Sequence, residues 1–333
     1  MKKHAYVSFV SGACAGIAAL LMFAAATAVA QTKTPAYPVK PVRLIAPYPA
    51  GGSSDLIARI IAQKFGDAFG QQFVVDNRAG AGGVLGSELA ARATPDGYTL
   101  LLGNIAPLAI SATLQKLGYD PLRDFAPISM LATGPTIVVV HPSVPARTMG
   151  EFIALARAQP GKLNYGSGGN GTPAHLTTEL LKQMAKINLV HVPYKGTGQS
   201  VNDLIAGQIQ LVFASTPVAL PHMKTGRLRA LAVSSAKRTP LAPDLPTVAE
   251  SGVPGFEFDS WWSLLAPPRT PAALVGTLNA ETGRTLKLTD VKERFADLGV
   301  DPVYSSPAEY SAFLRREIDK FAGLIKSIGL KPE

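Results

Sequence analysis

The sequence predicts an α/β chain of two lobes, each a parallel sheet flanked by helices. Three observations carry this. Short apolar runs of strand type alternate with amphipathic helical stretches, and that series is laid down twice in succession. The chain has 333 residues, of which 47% are hydrophobic and 17% charged, ample for two folded cores.

The first series opens with a strand at Val42–Ala46 and a helix over Asp55–Phe69, where Ile57, Ile61 and Phe65 share one face. Strands follow at Phe73–Val75 and Thr99–Leu102, with a helix at Leu85–Arg92 between them. Ile128–Leu131 is expected as a fourth strand. The second series starts at Ile137–Val140, rich in β-branched residues. Helices at Glu151–Ala158, Ala174–Lys186 and Val201–Ile205 then alternate with strands at Leu163–Tyr165, Leu189–Val192, Leu211–Phe213 and Leu228–Val233. After Gly255 comes one more strand, Trp261–Leu265, and then helices. Leu314, Ile318, Phe321, Ile325 and Ile328 form a helical stripe that is expected to pack back on the first lobe. The chain thus crosses between lobes twice. The expected division is 31–134 plus 256–333 for lobe 1 and 135–255 for lobe 2, with the ligand cleft between them.

Residues 1–30 read differently. Lys2, Lys3 and His4 give a positive start, no charged residue then occurs before Lys33, and the apolar stretch ends at Ala28-Val29-Ala30. This is the pattern of a secretory signal peptide cut before Gln31, and it places the mature protein in the periplasm. An uncleaved anchor fits the small-residue cleavage pattern less well. A lipid attachment at Cys14 fits less well again, because Ser11 stands where a lipobox has Leu. Cleavage would remove the single cysteine, which excludes disulfides, thiol catalysis and thiolate metal sites. The formal charge of +9 falls to about +7 without Lys2 and Lys3, a weak long-range attraction for anions. The basic residues are scattered, so nucleic acid is not expected as a partner. Residues 125–146 are apolar, but Pro127, Pro135, Pro142 and Pro145 rule out a spanning helix.

Two glycine-rich loops are the candidate site. Pro47-Tyr48-Pro49-Ala50-Gly51-Gly52-Ser53-Ser54-Asp55 links the first strand to the first helix. Gly166-Ser167-Gly168-Gly169-Asn170-Gly171-Thr172 has the same layout in the second lobe, with His175 one turn into its helix. Glycine lets a backbone approach a ligand, and the N–H groups and dipole of a helix start favour an anion. For the first loop a helix cap without ligand is an equal reading. His175 reads more simply as a capping or packing residue than as a ligand contact. The two loops together are more telling, because both sit off the carboxyl ends of strands, where α/β sheets bind ligands. Asn104 and Ser215 follow strands and are placed to line the same cleft, as are Tyr194 and Lys195. Of Trp261 and Trp262, which alternate, one is expected in the core and the other outward or in the cleft. Asp76-Asn77-Arg78-Ala79-Gly80-Ala81-Gly82-Gly83 reads as a tight turn.

Other chemistries fail on spacing. Gly166 to Gly171 matches G-x-G-x-x-G, but the stretch Lys186–Val192 lacks the acidic residue that a dinucleotide fold needs. There is no P-loop and no G-x-S-x-G. His141, His175, His191 and His222 are too far apart in sequence for zinc spacing. No cofactor, metal site or catalytic residue is expected.

The chain resembles the Bug (TctC-like) family, the solute-binding proteins of tripartite tricarboxylate transporters. The likeness runs from Tyr37 to the C-terminus. It is carried by Tyr37–Arg43, Pro49–Asp55, Asp76-Asn77-Arg78, Pro95–Leu100, Pro160–Ser167, His191–Gly196, Leu228–Val233 and Pro246–Glu250. The resemblance implies a two-lobed type II periplasmic binding protein, a Venus flytrap that is not an enzyme. It implies a small carboxylate held by the two glycine loops, from Ala50 to Asp55 and from Ser167 to Thr172 with His175 nearby. The expected ligand residues are Tyr48, Ala50, Gly51, Gly52, Ser53, Asp55, Asn104, Ser167, Gly168, Asn170, Gly171, Thr172, His175 and Ser215. Amino acids, di- and tricarboxylates and aromatic carboxylates are all family ligands. The expected partners are membrane transporter subunits or, alternatively, a membrane sensor, and the protein is expected to be a monomer. An exported hydrolase has no nucleophile motif to support it. Ser215 and Thr216 stand where family members often carry an acid or amide, and Asn104-Ile105-Ala106-Pro107 occupies a variable segment. Both bear on which carboxylate is bound.

Overall fold

The first apolar run forms β1 (Val42–Ala46), buried at four of its five residues and paired in parallel with β2 (Phe73–Asn77) on one side and β3 (Thr99–Asn104) on the other. These strands belong to the computed structural model of the chain, which describes residues 37–239, 242–327 and 329. The signal-peptide stretch, Cys14 and Ile328 lie outside the described residues. Helix α1 (Ser53–Phe69) buries Ile57, Ile61 and Phe65 and stops at Gly70, whose φ of 66° only glycine adopts without cost. Helix α2 (Val84–Ala91) joins β2 to β3. A π turn at Ala106–Ile110 and one helical turn at Ser111–Leu114 follow β3; all five residues of the π turn are buried.

β4 corrects one expectation. Ile128–Leu131 and Ile137–Val140 are not two strands but parts of one 15-residue strand, Ala126–Val140. Gly134-Pro135 looks like a break, yet the strand runs through it. Pro135 lies where β4 changes partners: up to Pro135↔Asp259 it pairs with β9 (Asp259–Ala266), and from Thr136↔Ser215 onward with β7 (Leu211–Ser215). A proline lacks the ladder N–H, so the changeover is where it does least damage. The next N–H, that of Thr136, goes to Ser234 Oγ at 2.9 Å.

Beyond β4 the chain forms α3 (Met149–Ala158), β5 (Asn164–Ser167), α4 (Pro173–Ala185), β6 (Val190–Pro193), α5 (Thr197–Ile205), β7, α6 (Thr216–Lys224) and β8 (Arg229–Val233). β9 then leads to α7 (Ala272–Thr285), α8 (Thr289–Leu298), the short β10 (Asp301–Pro302) and α9 (Pro307–Ser327). The strand order is β2-β1-β3-β9-β4-β7-β5-β6, with β8 and β10 also on β4. The sheet is mixed, a second correction. Strands joined by helical crossovers are parallel, as in β1/β2, β1/β3 and β5/β6, but β4 and β9 run against their neighbours. The sequence reading contains no counterpart of α6, which carries two prolines. Pro217 sits in the first turn, where no N–H is needed, and Pro221 is accommodated inside the helix.

β4 therefore joins two halves. β2, β1, β3 and β9 lie on one side of its changeover and β7, β5 and β6 on the other, each half with its own apolar core. The α9 stripe returns to the first half, where Tyr310, Leu314, Phe321 and Ile325 pack with Met130, Phe258 and Trp261. The halves also touch directly. Leu176 of α4 joins the core of the first half, and Gln183 Nε2 donates to the Ser327 carbonyl at 2.7 Å. The described residues from Lys40 onward accordingly form one compact unit.

Asp259 stands at the changeover, with Oδ1 buried and unbonded. Burial, and then Glu257, push its carboxyl up to about 6, with Asp301 and Glu317 adding to the effect and Lys320 opposing it. The unfolded chain ionises this group from 3.8, so stability falls as pH rises from there to about 6, and the penalty is constant above. At about 1.4 kcal/mol per pKa unit, discounted for partial exposure, Asp259→Asn should stabilise the protein by about 1–2 kcal/mol at pH 7. The gain should vanish near pH 4. Denaturant unfolding at the two pH values checks this, and an equal effect at both would contradict it.

Candidate functional site

The strand ends and helix starts of both halves meet at one cavity of about 580 Å³. From β1, the loop Pro47–Gly52 enters α1. Gly51 has a φ of 81°, and its N–H donates to Asp55 Oδ2 at 2.9 Å. Asp55 is buried and also accepts from Arg59 Nε and from Asn77 Nδ2, each at 3.0 Å. Asn77 reaches the Tyr48 carbonyl as well, at 3.0 Å. Burial alone would raise the Asp55 pKa, but Arg59, the Gly51 N–H and Asn77 together hold it below the usual carboxylate range. Asp55 is thus an ionised brace under the loop.

The second loop is braced by a histidine stack. Gly171 N–H donates to His175 Nδ1 at 3.1 Å, which fixes that nitrogen as an acceptor. The His175 ring stacks on His191 at 4.2 Å, and His191 stacks on Tyr165 at 4.8 Å. Ser167 Oγ lies 2.7 Å from His191 Nε2 and accepts from Gly169 N–H at 3.0 Å. Burial lowers both histidine pKa values. That of His191 falls to about 4, helped by His175, so both rings are neutral at pH 7.

Four helices start at the cavity: α1 at Gly52–Ser54, α4 at Thr172–Ala174, α5 at Gly196–Gly198 and α6 at Ser215–Pro217. None has a side-chain cap, whereas Thr148 caps α3, which does not reach the cavity. First-turn N–H groups have no partner within their own helix, so these ends present donors and partial positive charge. Among the described residues, no Lys, Arg, Asp or Glu lines the cavity. The polar wall is hydroxyl and amide. Ser53 Oγ and Ser215 Oγ bond across the two halves at 2.6 Å, and Trp262 Nε1 donates to Ser54 Oγ at 3.1 Å. The Tyr48 hydroxyl lies 2.9 Å from the Gly82 carbonyl and 3.1 Å from Asn104 Oδ1. Burial raises the Tyr48 pKa, so the phenol stays protonated. Among the described residues, no group of three His, Cys, Asp or Glu side chains is placed to hold a metal ion.

Of the residues expected from sequence, Tyr48, Ala50, Gly51, Gly52, Ser53, Asn104, Gly168, Thr172 and Ser215 lie in the cavity wall. Asp55, Ser167, Asn170, Gly171 and His175 are not among the lining residues. Asp55, Ser167 and His175 hold the loops from behind, and Gly171, with a φ of 70°, packs close to Leu114. Tyr194 bonds Asp203 at 2.8 Å, and Lys195 is exposed; neither lines the cavity. Trp261 is in the core and Trp262 in the wall. The segment ending in Gly82-Gly83 is a tight turn; a Cβ on Gly83 would lie 3.2 Å from the Tyr48 ring. Thr197, Gly198, Asn202, Thr136, Ser260 and His222 were missed. For α5 the signal was present: Gly196-Thr197-Gly198 follows a strand and opens a helix, as the other two loops do.

A mixed sheet in two halves, with helix starts converging on a cavity between them, defines a two-lobed binding protein of the periplasmic type. The family model for the tripartite tricarboxylate transporter family receptor matches residues 57–330, and the chain belongs to that family. It is 38% identical over 315 residues to Protein BugT of Bordetella pertussis, covering 93% of this chain and 96% of that one. It is similar to the structure of R. palustris Rpa4515 with adipate, at a TM-score of 0.87 and 34% identity, over 89% of this chain and 100% of that one. It is also similar to MatC from Rhodopseudomonas palustris with bound malate, at 0.82 and 31%, over 87% and 100%. Among the described residues no helix is long and apolar enough to cross a membrane.

Asp55→Ala removes the acceptor of the Gly51 N–H, a charge-assisted bond worth about 1.5–3 kcal/mol. Amide exchange over the loop 47–52 should quicken at least about tenfold, while the loop 167–172 is unaffected. Unchanged exchange in the first loop would show that Asp55 does not brace it.

Proposed function

We propose that this chain is an exported binding protein that captures a small carboxylate and delivers it to the membrane subunits of a tripartite tricarboxylate-type transporter. Residues 1–30 are its signal peptide, cut before Gln31. Lobe 1 is 31–134 with 256–333 and lobe 2 is 135–255. The protein works in the periplasm as a monomer and catalyses nothing. The observation that supports this reading best is the convergence of four uncapped helix N-termini on a cavity without a charged wall. Aligned N–H donors suit an oxyanion and discriminate against a cation. Adipate and malate in the two similar structures accord with a carboxylate. Presentation of the loaded protein to a membrane sensor is the alternative, and a pull-down of membrane partners separates the two.

Ligand capture draws the lobes together, because the wall of the site comes from both. The Ser53–Ser215 bond and the approach of Pro49 to Gly196 are the contacts such a closure makes. Charge attraction from the surface contributes little, since Lys195 is exposed and outside the wall.

The test is a thermal-shift screen of carboxylates followed by calorimetry. A ligand at about a hundred times its dissociation constant should stabilise the protein by about 2.7 kcal/mol. A Cβ on Gly168 would stand 3.1 Å from the Thr197 backbone nitrogen. Gly168→Val should therefore disturb two helix starts at once and weaken binding by about a hundredfold, two charge-assisted bonds' worth. Lys195→Ala should change affinity by no more than about threefold, and only at low salt. Loss of binding in Lys195→Ala with retention in Gly168→Val would overturn the mode of capture. A screen without any carboxylate hit would overturn the function.

A further inference from the structure

The cavity has two unlike ends. At the inner end Ser53, Ser54, Thr172, Ser260 and Trp262 are buried, and α1, α4 and α6 begin. From there the wall runs along α5 and α6, which pack together. On α6 it continues through Val218 and Pro221 to His222, six residues beyond Thr216 and so about 9 Å along the axis at about 1.5 Å per residue. On α5 it reaches Val201 and Asn202. Leu56 of α1 also joins the wall, one turn beyond its start. Asn202 and Pro221 are exposed and His222 is half-buried, so this end opens to solvent, as the wall also does at Pro49–Gly51 and at Gly198 and Gln199.

The electrostatics of the two ends are opposite. The starts of α1, α4 and α6 offer donors and partial positive charge at the inner end. His222 lies in the last turn of α6, and Asn202 lies toward the end of α5, where the helix dipoles are negative. Among the described residues no Lys or Arg lines the mouth; Lys224 and Arg227 are exposed and outside the wall. Burial, and then Arg227, lower the His222 pKa, which keeps the ring neutral at pH 7. An anionic group beside His222 would find no lysine or arginine in the wall to pair with, because Arg227 acts on that end only from outside it. Leu56, Val201, Val218 and Pro221 offer apolar surface between the two ends.

Resting on the carboxylate reading above, we propose that the ligand is a single-headed carboxylate with an apolar aromatic or aliphatic body lying along α6, and that His222 and Asn202 select an uncharged far end. This excludes dicarboxylates such as adipate and malate as preferred ligands and makes His222 a specificity-determining residue.

Matched pairs test it by calorimetry on the mature protein: hexanoate against adipate, benzoate against terephthalate, and any further hit of the carboxylate screen against its counterpart with or without a second carboxylate. Each single-headed member should bind at least about tenfold more tightly than its partner. His222→Lys places a cation at the mouth. Once its melting curve shows that it is folded, it should shift the ratio at least about tenfold toward the dicarboxylate, by an amount that shrinks with salt. Tighter binding of the dicarboxylates by the unaltered protein, or an unmoved ratio in His222→Lys, would overturn this inference and leave carboxylate capture standing. Failure of every carboxylate to bind would remove both.

Discussion

An anion taken from water into a cavity without a charged wall can be held only by donors that already point at it. Nearly every feature of this fold serves that constraint. β1, β5, β6 and β7 all end at the cavity, and each hands over to a helix whose first turn faces it. Strand direction decides where helix starts fall, so the parallel stretches of the sheet set the polarity of the site. The reversed strands β4 and β9 carry no such helix at that end. They join the halves instead, and β4 exchanges its partners at Pro135–Thr136.

Uncapped helix starts on glycine loops are soft, and the structure stiffens them from behind. Under the first loop the brace is an ionised Asp55 held by Arg59 and Asn77. Under the second it is a pair of neutral, stacked histidines. The difference follows from burial. Arg59 is about half exposed and can neutralise Asp55 from the surface, whereas His175 and His191 are shielded and lose their charge. Neither brace puts a charge in the cavity wall. Hydroxyls complete the wall, with Ser53 and Ser215 meeting across the halves.

The strands and amphipathic helices were legible in the sequence because their apolar periodicity reflects which face is buried. Ile57, Ile61 and Phe65 gave away α1, and the stripe from Leu314 to Ile325 gave away α9. The glycine loops were legible because their composition has few other uses between a strand and a helix. What escaped was long-range. Gly134-Pro135 has the local signature of a break, and only the change of strand partner explains why the strand survives it. The sequence reading has no counterpart of α6, which carries two prolines and His222. The family resemblance puts Asp55, Ser167 and His175 with the ligand loops, while local sequence alone does not say whether a residue one helical turn in, or at a strand end, faces the cavity or braces the loop from behind. Which way it faces depends on Asn77 and His191, far away in sequence.

The central claim is that backbone N–H groups at helix starts, not a side-chain cation, hold the carboxylate. A crystal structure of the protein with a bound carboxylate tests this most directly. The account predicts carboxylate oxygens within about 3.2 Å of first-turn N–H groups from both halves, at two or more of α1, α4, α5 and α6. A carboxylate paired instead with Lys195 or any other lysine or arginine side chain, away from those helix starts, would contradict it.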